Sequence, residues 1–477
     1  MQIAWIPRSL AILPLLLSFS LSSPAQEAIT TEIFERSLFH VHPEQVEQTI
    51  TGFGSGFNDR SAALISALSN PEDRERAYDL LYGEGRSARL NIVRLKISPD
   101  AAPLDATGLH YNWSGDQRTQ QTWQAIQPVL KRTRPLLYAV PFTPPVRWKV
   151  YAPPRCPEKT GCLNPAHYRD YANYLADFVE YYHRTLGVDL DVISIQNEPG
   201  VAAPWESCLW TGDQMRDFLR IFAPILRQRG LTTRIMSSEG TAWAGAWAHL
   251  LPTLADSGTR GELGVMASHS YGMLADTLAD GSRRQFAAAN GRNSLPVWMS
   301  EMSLMPPYFK GPDDPSIDAA ITMARFVHRD LTLARASAWI YCFAIFTSKF
   351  PGSLGLLSPA DANGTLQIPK RFWALANYSA FVRPGWKRIA LDGAGPESSA
   401  FISPQGDRYV IVAINEAARP RHAVYDFGIH ALGGVEAWAT NNELNLAQVT
   451  APQVEGSRFS ATLSPRSVTT FVVTAKR

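Results

Sequence analysis

The chain has 477 residues, of which 45% are hydrophobic and 10% aromatic, so it can bury a large core and is not a disordered protein. It carries 45 Lys and Arg residues against 43 Asp and Glu residues, and no basic block stands out. The formal net charge of +2 therefore gives no basis for binding nucleic acid or an anionic membrane.

Residues 1–25 have the composition of a secretory signal peptide. Arg8 supplies a positive charge, an apolar stretch follows, and Ser23 to Ala25 form a small-residue cleavage site. A membrane anchor is the alternative, but Pro14 and several serines interrupt the run, which falls short of the roughly 20 residues that a span needs. We therefore expect a secreted or periplasmic protein that is free of the membrane after cleavage.

From residue 50 onward, short β-rich apolar runs alternate with amphipathic helical stretches, as parallel strands and their crossover helices do. The predicted strands lie at 50–57, 91–98, 135–142, 191–198, 233–240, 264–272, 296–302 and 337–345. Eight strand–helix pairs predict an α/β fold, a (β/α)8 TIM barrel over 50–384. A doubly wound open sheet is the alternative, although "GFGSGF" lies inside the first strand and does not open a helix.

After Pro384 the pattern changes to short alternating β segments separated by Gly, Pro and Asn. This pattern predicts an all-β module over 385–477, and residues 32–49 can add strands to it. We therefore expect a side β-sandwich formed by both chain termini.

Polar residues follow or end several of the predicted strands. In a (β/α)8 barrel the active site is built at the carboxyl ends of the strands, so these side chains are expected to face the substrate. They are Arg94, Asn197, Glu198, Glu239, His269, Tyr271 and Glu301.

Two glutamates that flank one cleft, Glu198 and Glu301, are the equipment of glycoside hydrolysis. One carboxyl must stay protonated while the other attacks the anomeric carbon, so their surroundings have to separate their pKa values. Asn197 is expected to bind a sugar 2-hydroxyl, and Tyr271 to hold the nucleophile. The alternative is that both glutamates cap helix N-termini. Glu239 is the rival carboxylate, and we expect it to be a hydrogen-bonding group.

Aromatic rings form the second line of evidence, because sugar C–H faces stack on flat rings. Six of them fall in predicted loops or at strand ends on the same side of the barrel: Trp113, Trp148, Trp205, Trp210, Trp243 and Tyr341. We expect about half of these to touch sugar, with Tyr341 the best candidate.

The chain has four cysteines, too few for a disulfide scaffold. Cys156 and Cys162, six residues apart, are the plausible disulfide pair. Metal ligation is the rival interpretation, but the spacing matches no zinc pattern and no histidine pair stands near. We expect no metal site.

From about residue 35 to 475 the chain resembles glycoside hydrolase family 30. The motifs that carry the resemblance are "GFGSGF", "TPPVRWK", "DVISIQNEP", "SCLWTGDQMRDFL", "SHSYG", "VWMSEMS" and "FWALANYSAFVRPGWKRI". The resemblance implies a barrel with a side sandwich, a retaining mechanism, Glu198 as acid/base, Glu301 as nucleophile, and no cofactor.

The C-terminal tail resembles the bacterial endoxylanases of this family, which implies a polysaccharide substrate, most plausibly xylan. The glucuronoxylan-specific members carry an arginine-rich stretch after the eighth strand, where this chain has Lys349 alone, and Arg147 replaces the usual Trp or Ser. We therefore expect a monomeric endo-β-1,4-xylanase without strict glucuronate dependence. A β-1,6-glucanase, a β-1,6-galactanase, a glucosylceramidase-like β-glucosidase and a non-catalytic carbohydrate-binding protein stay open.

The residues expected to bind substrate, in addition to the two glutamates, are Arg94, Trp148, Asn197, Trp205, His269, Tyr271 and Tyr341.

Overall fold

The computed structural model of the protein describes residues 36–99, 102–108, 110–272, 277–305, 314–347, 355–359 and 364–476. The proposed signal peptide, residues 32–35 of the predicted sandwich, and Lys349 lie outside these ranges. Among the described residues, none of the helices combines the length and the apolar character that crossing a membrane requires.

The bounds of the elements follow the chain. The first strands are β1 (Arg36–Thr49), β2 (Gly52–Phe57), β3 (Ile92–Ile97), β4 (Leu136–Pro141), β5 (Lys149–Val150), β6 (Cys162–Leu163), β7 (Val192–Ser194), β8 (Arg234–Gly240), β9 (Leu263–His269), β10 (Val297–Met302), β11 (Ala338–Tyr341) and β12 (Phe343–Ile345). The remaining strands are β13 (Gly355–Pro359), β14 (Leu366–Gln367), β15 (Lys387–Gly393), β16 (Glu397–Ile402), β17 (Arg408–Asn415), β18 (Arg421–Asp426), β19 (Leu432–Thr440), β20 (Ala447–Val449), β21 (Val454–Glu455), β22 (Arg458–Leu463) and β23 (Ser467–Ala475). The helices are α1 (Asp59–Ser66), α2 (Pro71–Tyr82), α3 (Gln117–Arg132), α4 (Tyr168–Glu180), α5 (Gly212–Gln228), α6 (Trp243–Ala255), α7 (Ser257–Arg260), α8 (Thr277–Asn293), α9 (Ile317–Leu333) and α10 (Lys370–Ser379).

Eight parallel strands close into a barrel in the order β2, β3, β4, β7, β8, β9, β10, β11. The closing pair is β11 with β2, where Ala338 lies opposite Gly52 and Tyr341 opposite Ser55. The predicted (β/α)8 barrel is therefore confirmed, and the open doubly wound alternative is wrong because an open sheet has two free edges.

Three predicted strands extend too far. The sixth was expected over 264–272, but β9 ends at His269. The fourth was expected over 191–198, but β7 ends at Ser194, and the chain leaves the barrel before Glu198, whose φ is +47°. The eighth was expected over 337–345, but β11 ends at Tyr341, and after Cys342 the short strand β12 pairs with β13 instead. All three errors fall at the catalytic end, where side chains turn toward the barrel mouth.

The side module is one continuous sheet in the order β20, β19, β23, β17, β16, β15, β1, β18, β22, β21. The N-terminal β1 lies between β15, its antiparallel neighbour, and β18, its parallel neighbour, so both termini build it as predicted. The sheet closes over its own aromatic core, where Tyr425 of β18 packs 5.9 Å from Phe471 of β23. The other face packs on α9 and α10 of the barrel.

Local signals explain the ends of the long helices. At the start of α5, Thr211 accepts from Gln214 N–H while the Gln214 side chain accepts from Thr211 N–H, which satisfies donors that a helix end leaves free. Two residues after that helix, Gly230 has φ +70°, a left-handed conformation suited to glycine. Cys156 and Cys162 form the disulfide that their spacing favoured.

A buried carboxylate ties the last barrel helices to the strand that carries part of the candidate site. Asp330 of α9 is fully buried and accepts hydrogen bonds from Trp243 Nε1 (3.0 Å), Ser270 Oγ (3.0 Å) and Arg283 Nε (2.8 Å). Its second oxygen accepts from Trp339 Nε1 at 3.0 Å. Ser270 directly follows β9, so this one residue holds four elements in register.

We predict that Asp330→Ala lowers the free energy of unfolding by about 3 kcal/mol or more, because it leaves the Arg283 guanidinium buried without its main carboxylate. Urea unfolding followed by tryptophan fluorescence measures the loss. Asp213→Ala, which removes an exposed partner of Arg216, is the matched control and should leave the unfolding midpoint nearly unchanged. Equal midpoints for both variants would contradict the role given to Asp330.

Candidate active site

The polar strand ends meet at the mouth of the barrel. One carboxylate oxygen of Glu198, one of Glu301 and a ring nitrogen of His269 all lie within 4.8 Å of one another. All three residues are buried, with Glu198 5% and Glu301 6% exposed. The structure thus brings together the two glutamates that the sequence placed on strands 103 residues apart.

Arg94 is the cation at the centre of this group. It extends from β3, is 4% exposed, and its Nη2 lies 2.7 Å from Glu301 Oε2 and 3.9 Å from Glu239 Oε1. The same nitrogen donates to Asn197 Oδ1 at 2.7 Å. Its guanidinium carbon also lies 5.5 Å from the centre of the Phe142 ring. Arg94 therefore fixes both a glutamate and the amide beside the other glutamate.

The turn after β7 places Glu198. Its backbone N–H donates to the carbonyl of Glu239 at 3.0 Å, and both residues have positive φ, +47° and +49°. Non-glycine residues rarely adopt this conformation, and here it recurs at two neighbouring strand ends. On the side-chain end, Glu198 Oε1 is hydrogen bonded to His269 Nδ1 at 3.2 Å. Backbone and side chain together fix its carboxyl toward Glu301.

The surroundings of Glu301 and Glu239 shift the pKa values of these two carboxyls in opposite directions. Burial opposes ionisation of Glu301, yet Arg94, His269 and the Tyr271 hydroxyl outweigh it, so the pKa of Glu301 lies below its usual range. Burial raises the pKa of Glu239, and Arg94 and His269 offset this only in part. Glu301 is therefore equipped to act as an anion, whereas Glu239 is fully buried under the other groups.

His269 and Tyr271 act on these carboxyls as donors. Burial opposes protonation of His269, but Glu301 and Glu198 outweigh it and raise the pKa of the imidazole. Burial and the Glu301 charge raise the pKa of Tyr271, so its hydroxyl keeps its proton and donates to Glu301 Oε1 at 2.9 Å. The predicted contact between Tyr271 and Glu301 is present.

The alternative of helix-capping glutamates is wrong for both residues. Glu301 lies inside β10, and the next helix, α9, is capped by Ser316. Glu198 lies well before α5, which begins at Gly212 and is capped by Thr211. Neither carboxylate satisfies a helix N-terminus.

The same three groups have the ligand types of a divalent cation site. Arg94 already stands 2.7 Å from Glu301, and a second cation in that space would meet its positive charge. The arrangement therefore favours proton transfer between protein groups and a substrate.

The aromatic predictions need correction. Tyr341 is fully buried and its hydroxyl accepts from the Leu304 backbone N–H, so its ring has no open face for a sugar. Trp148 is 6% exposed, with His167 parallel to it at 6.3 Å and the Arg147 guanidinium 4.5 Å from its ring centre. Both were expected to bind substrate, and in both cases the ring is buried within the protein.

The remaining tryptophans differ in how far they are buried. Trp113, Trp210 and Trp243 are buried, and the last two donate their ring N–H to Gln196 and Asp330 respectively. Trp205 is 56% exposed. Of the six predicted aromatics, therefore, Trp205 alone has an exposed ring. The other five are buried in the core, where large aromatic side chains are often found.

Sequence reasoning missed the ion pairs beside Trp205. Glu206 pairs closely with Lys96 Nζ and lies 2.9 Å from Arg118 Nη1. Burial opposes ionisation of Glu206, yet Lys96 and Arg118 outweigh it and lower the pKa of this carboxyl. At neutral pH the loop is therefore held by a carboxylate. Lys96 lies two residues after Arg94 on β3, on the same face of the strand, and this spacing was the available signal.

The sequence of the chain is similar to those of known proteins. A family model described as O-Glycosyl hydrolase family 30 matches residues 100–355. The glucuronoxylanase XynC of Bacillus subtilis (strain 168) is 26% identical over 474 residues, which cover 98% of this chain and 99% of that protein.

Solved structures show the same fold. A GH30 endoxylanase from Clostridium papyrosolvens C71 aligns with a TM-score of 0.72 and 24% identity, covering 92% of this chain and 100% of that one. The endo-beta1,6-glucanase BT3312 aligns with a TM-score of 0.72 and 19% identity, covering 93% and 94%. Proteins with different named substrates thus share this architecture.

We predict that Tyr271→Phe lowers kcat/KM by about 10- to 100-fold, the loss expected for one hydrogen bond to a charged group. The hydroxyl lowers the pKa of Glu301, so its removal raises that pKa and moves the acid limb of the kcat/KM profile to higher pH. A pH–rate profile of the free enzyme measures the move.

Tyr78→Phe is the matched control, because its hydroxyl donates to the Ala125 carbonyl far from the barrel mouth. It should leave the acid limb in place. An acid limb that stays put in Tyr271→Phe, or moves to lower pH, would contradict the contact's role.

Proposed function

The chain belongs to O-glycosyl hydrolase family 30, and on that premise we propose that it is a retaining β-glycosidase that cleaves xylan internally. Family membership makes it a glycoside hydrolase, so the alternative of a non-catalytic binding protein is not retained. The observation that carries the mechanism is the approach of Glu198 and Glu301 to within 4.8 Å. Retaining enzymes hold their carboxyls about 5–5.5 Å apart, whereas inverting enzymes leave about 6.5–9.5 Å for a water.

In the first step the Glu301 carboxylate attacks the anomeric carbon and forms the glycosyl ester. Glu198 gives its proton to the leaving oxygen as the glycosidic bond breaks. In the second step Glu198, now ionised, takes a proton from water, which attacks the same carbon and releases Glu301. Arg94 and Tyr271 hold the nucleophile ionised before attack, and His269 positions Glu198.

Asn197 is assigned to the sugar next to the scissile bond. Arg94 donates to its Oδ1 at 2.7 Å, which orients the amide and turns its nitrogen to donate to a 2-hydroxyl. Hydrogen bonds to the 2-hydroxyl strengthen in the transition state of glycoside hydrolysis. Trp205, with its exposed ring and its clamped neighbour Glu206, supplies the stacking surface at the mouth.

Support for xylan comes from relatives rather than from the site. The Bacillus subtilis protein that matches nearly the full chain is named a glucuronoxylanase. The likeness to the endo-beta1,6-glucanase, at 19% identity, concerns the fold alone. Export through residues 1–25 places such an enzyme where polysaccharides occur, and is part of the proposal.

A substrate panel tests the assignment. Purified enzyme is incubated with xylan, glucuronoxylan, β-1,6-glucan, β-1,6-galactan and a glucosyl lipid, and the products are identified. Xylo-oligosaccharides of mixed length from xylan support the proposal. Products from one of the other substrates alone would replace xylan with that substrate, and proton NMR of the first product tests retention of the anomeric configuration.

We predict that Glu301→Ala and Glu198→Ala differ in their response to the leaving group. The first variant should lose activity on every substrate, because no glycosyl ester can form. The second should lose activity on natural linkages but keep far more on aryl glycosides whose leaving group needs no proton, and azide should rescue it. Steady-state kinetics on both substrate types measures the difference.

Glu262→Ala, which removes a partly buried partner of Arg227, is the control for a lost carboxylate and should match the wild type on both substrates. Trapping with an activated fluoro-sugar should label Glu301. A label on Glu239, or equal losses of Glu198→Ala on the two substrate types, would overturn the assignment of roles.

Glucuronate branches should matter little. Recognising a carboxylate in fixed geometry favours an arginine fork over a flexible lysine, and the stretch after the eighth strand offers Lys349. We predict kcat/KM on linear xylo-oligosaccharides within about tenfold of that on glucuronate-decorated ones of equal length, or about 1.4 kcal/mol. A preference of about a hundredfold that disappears in Arg147→Ala would show that Arg147 binds the branch.

A further inference from the structure

A cavity of about 320 Å³ lies between α9 and the side sheet. Its lining includes Phe39, His328, Thr332, Arg388, Glu397 and Ser398. His328 and Thr332 belong to the last turns of α9, the end of the helix that leads to the start of β11. The cavity therefore sits at the end of the barrel opposite to Glu198 and Glu301, and exposed Gly393 and Gly395 form its rim.

Arg388 brings a positive charge into this cavity. It is 7% exposed, its Nε donates to Gln48 Oε1 at 2.9 Å, and its Nη2 is 3.5 Å from Glu47 Oε2. Arg335 pairs more closely with that same carboxylate oxygen. Two guanidiniums thus share one carboxylate. Burial and the Arg335 charge lower the pKa of Arg388 to about 10, so at neutral pH it stays charged and incompletely compensated.

His328 presents a polar atom whose hydrogen bond is unmade. Its Nδ1 is buried and finds no partner among the described residues. Burial and the charges of Arg388, Arg329 and Arg325 lower the pKa of His328 to about 3, so the ring is neutral. Nδ1 has almost no exposed surface, so it does not open onto the cavity, and His328 contributes an uncharged wall there.

Glu397 limits what the cavity accepts. Its carboxylate is held by Arg325 at 2.9 Å and Arg329 at 3.6 Å, and it lines the same cavity as Arg388. One anionic group can lie on Arg388, but a second would meet this carboxylate. Beside these charges the walls carry hydroxyl groups of Thr332 and Ser398 and the apolar Phe39.

We propose that this cavity binds a small hydroxylated monocarboxylate of hexuronate size, with the carboxylate on Arg388 and a hydroxyl on Glu397. The volume lies at the lower end of small-molecule sites, about 300–1,000 Å³, which suits one sugar ring rather than a chain. An arginine beside a carboxylate ligand makes paired, charge-assisted hydrogen bonds. The site is separate from the catalytic mouth and does not depend on the proposed substrate.

Calorimetric titration of the full chain with sodium D-glucuronate tests the proposal, with D-glucose and sodium sulfate as comparison probes at equal ionic strength. We expect a Kd of about 1 mM or tighter for glucuronate, the value that about 0.3 kcal/mol per ligand atom gives. Glucose and sulfate should each bind at least tenfold more weakly, since glucose lacks the charge and sulfate lacks the hydroxyls. Sulfate binding as tight as glucuronate would overturn the hydroxylated ligand.

Variants locate the binding. Arg388→Gln should weaken glucuronate binding at least tenfold, and Thr332→Phe, which fills the cavity without touching a charge, should do the same. Arg458→Gln is the matched control, since this exposed side-sheet arginine pairs with Asp426 away from the cavity. Arg388→Lys keeps the charge without the fork, so if Arg388→Gln fails to fold, the lysine and phenylalanine variants still decide.

The catalytic mouth is the competing location, and blocking it separates the two. In protein whose Glu301 has been labelled by a fluoro-sugar, or in Glu301→Gln, glucuronate should bind with unchanged affinity. Binding that is lost on blocking Glu301 and unchanged in Thr332→Phe would overturn the proposal. Failure of the xylanase assignment in the substrate panel would leave these titrations unaffected.

Discussion

The structure of the barrel mouth depends on one constraint: buried carboxylates must be compensated where they stand. Glu198, Glu239 and Glu301 converge in a space from which water is largely excluded, and isolated buried charges are expensive. Arg94 and His269 are the cations within reach, at 2.7 Å from Glu301 and 3.2 Å from Glu198. Two cations against three carboxyls leave Glu239 without a close cation, since Arg94 is 3.9 Å away, and burial raises the pKa of Glu239. Glu301 has the close cation and a lowered pKa, as a nucleophile requires.

The ends of the barrel strands and the residues packed against them hold these carboxyls in place. Strand β7 ends four residues before Glu198, so the backbone can turn out of the barrel and carry the carboxyl across to Glu301. The Trp210 ring supports this turn by donating to Gln196 Oε1 at 3.2 Å. On the other side, Asp330 fixes Ser270 beside His269. The positive φ of Glu198 and Glu239 is tolerated because such neighbours determine their positions.

Much of the barrel and of its candidate site could be predicted from the sequence, because two signals in it are strong. Apolar runs of even spacing gave eight strands, and polar residues at their ends gave Glu198, Glu301 and the Tyr271 contact. The predicted strands were too long where pairing stops, after Ser194, His269 and Tyr341, because no local residue marks that change. The same strand-end rule that places polar groups cannot distinguish a ring facing the mouth from one packed beneath it.

The aromatic residues show why the rest of the site could not be predicted from the sequence. Whether Tyr341 or Trp205 meets a sugar depends on which neighbours cover the ring, and these come from distant parts of the chain. Tyr341 is fully buried and its hydroxyl accepts from the Leu304 backbone, 37 residues away, whereas Trp205 is 56% exposed beside Glu206, which Lys96 and Arg118 hold. Long-range contacts of this kind leave no trace in a short window of sequence.

Buried arginines elsewhere in the chain show how unusual the side-sheet cavity is. Arg283 has the Asp330 carboxylate, and Arg371 donates to the carbonyls of Gly355 and Asp314. Arg94 has Glu301. In each case the chain supplies the acceptors at close range. Arg388 instead shares the Glu47 carboxylate with Arg335 and faces a cavity, so its compensation is the least complete of the four. A carboxylate from outside the chain completes what the fold leaves unfinished there.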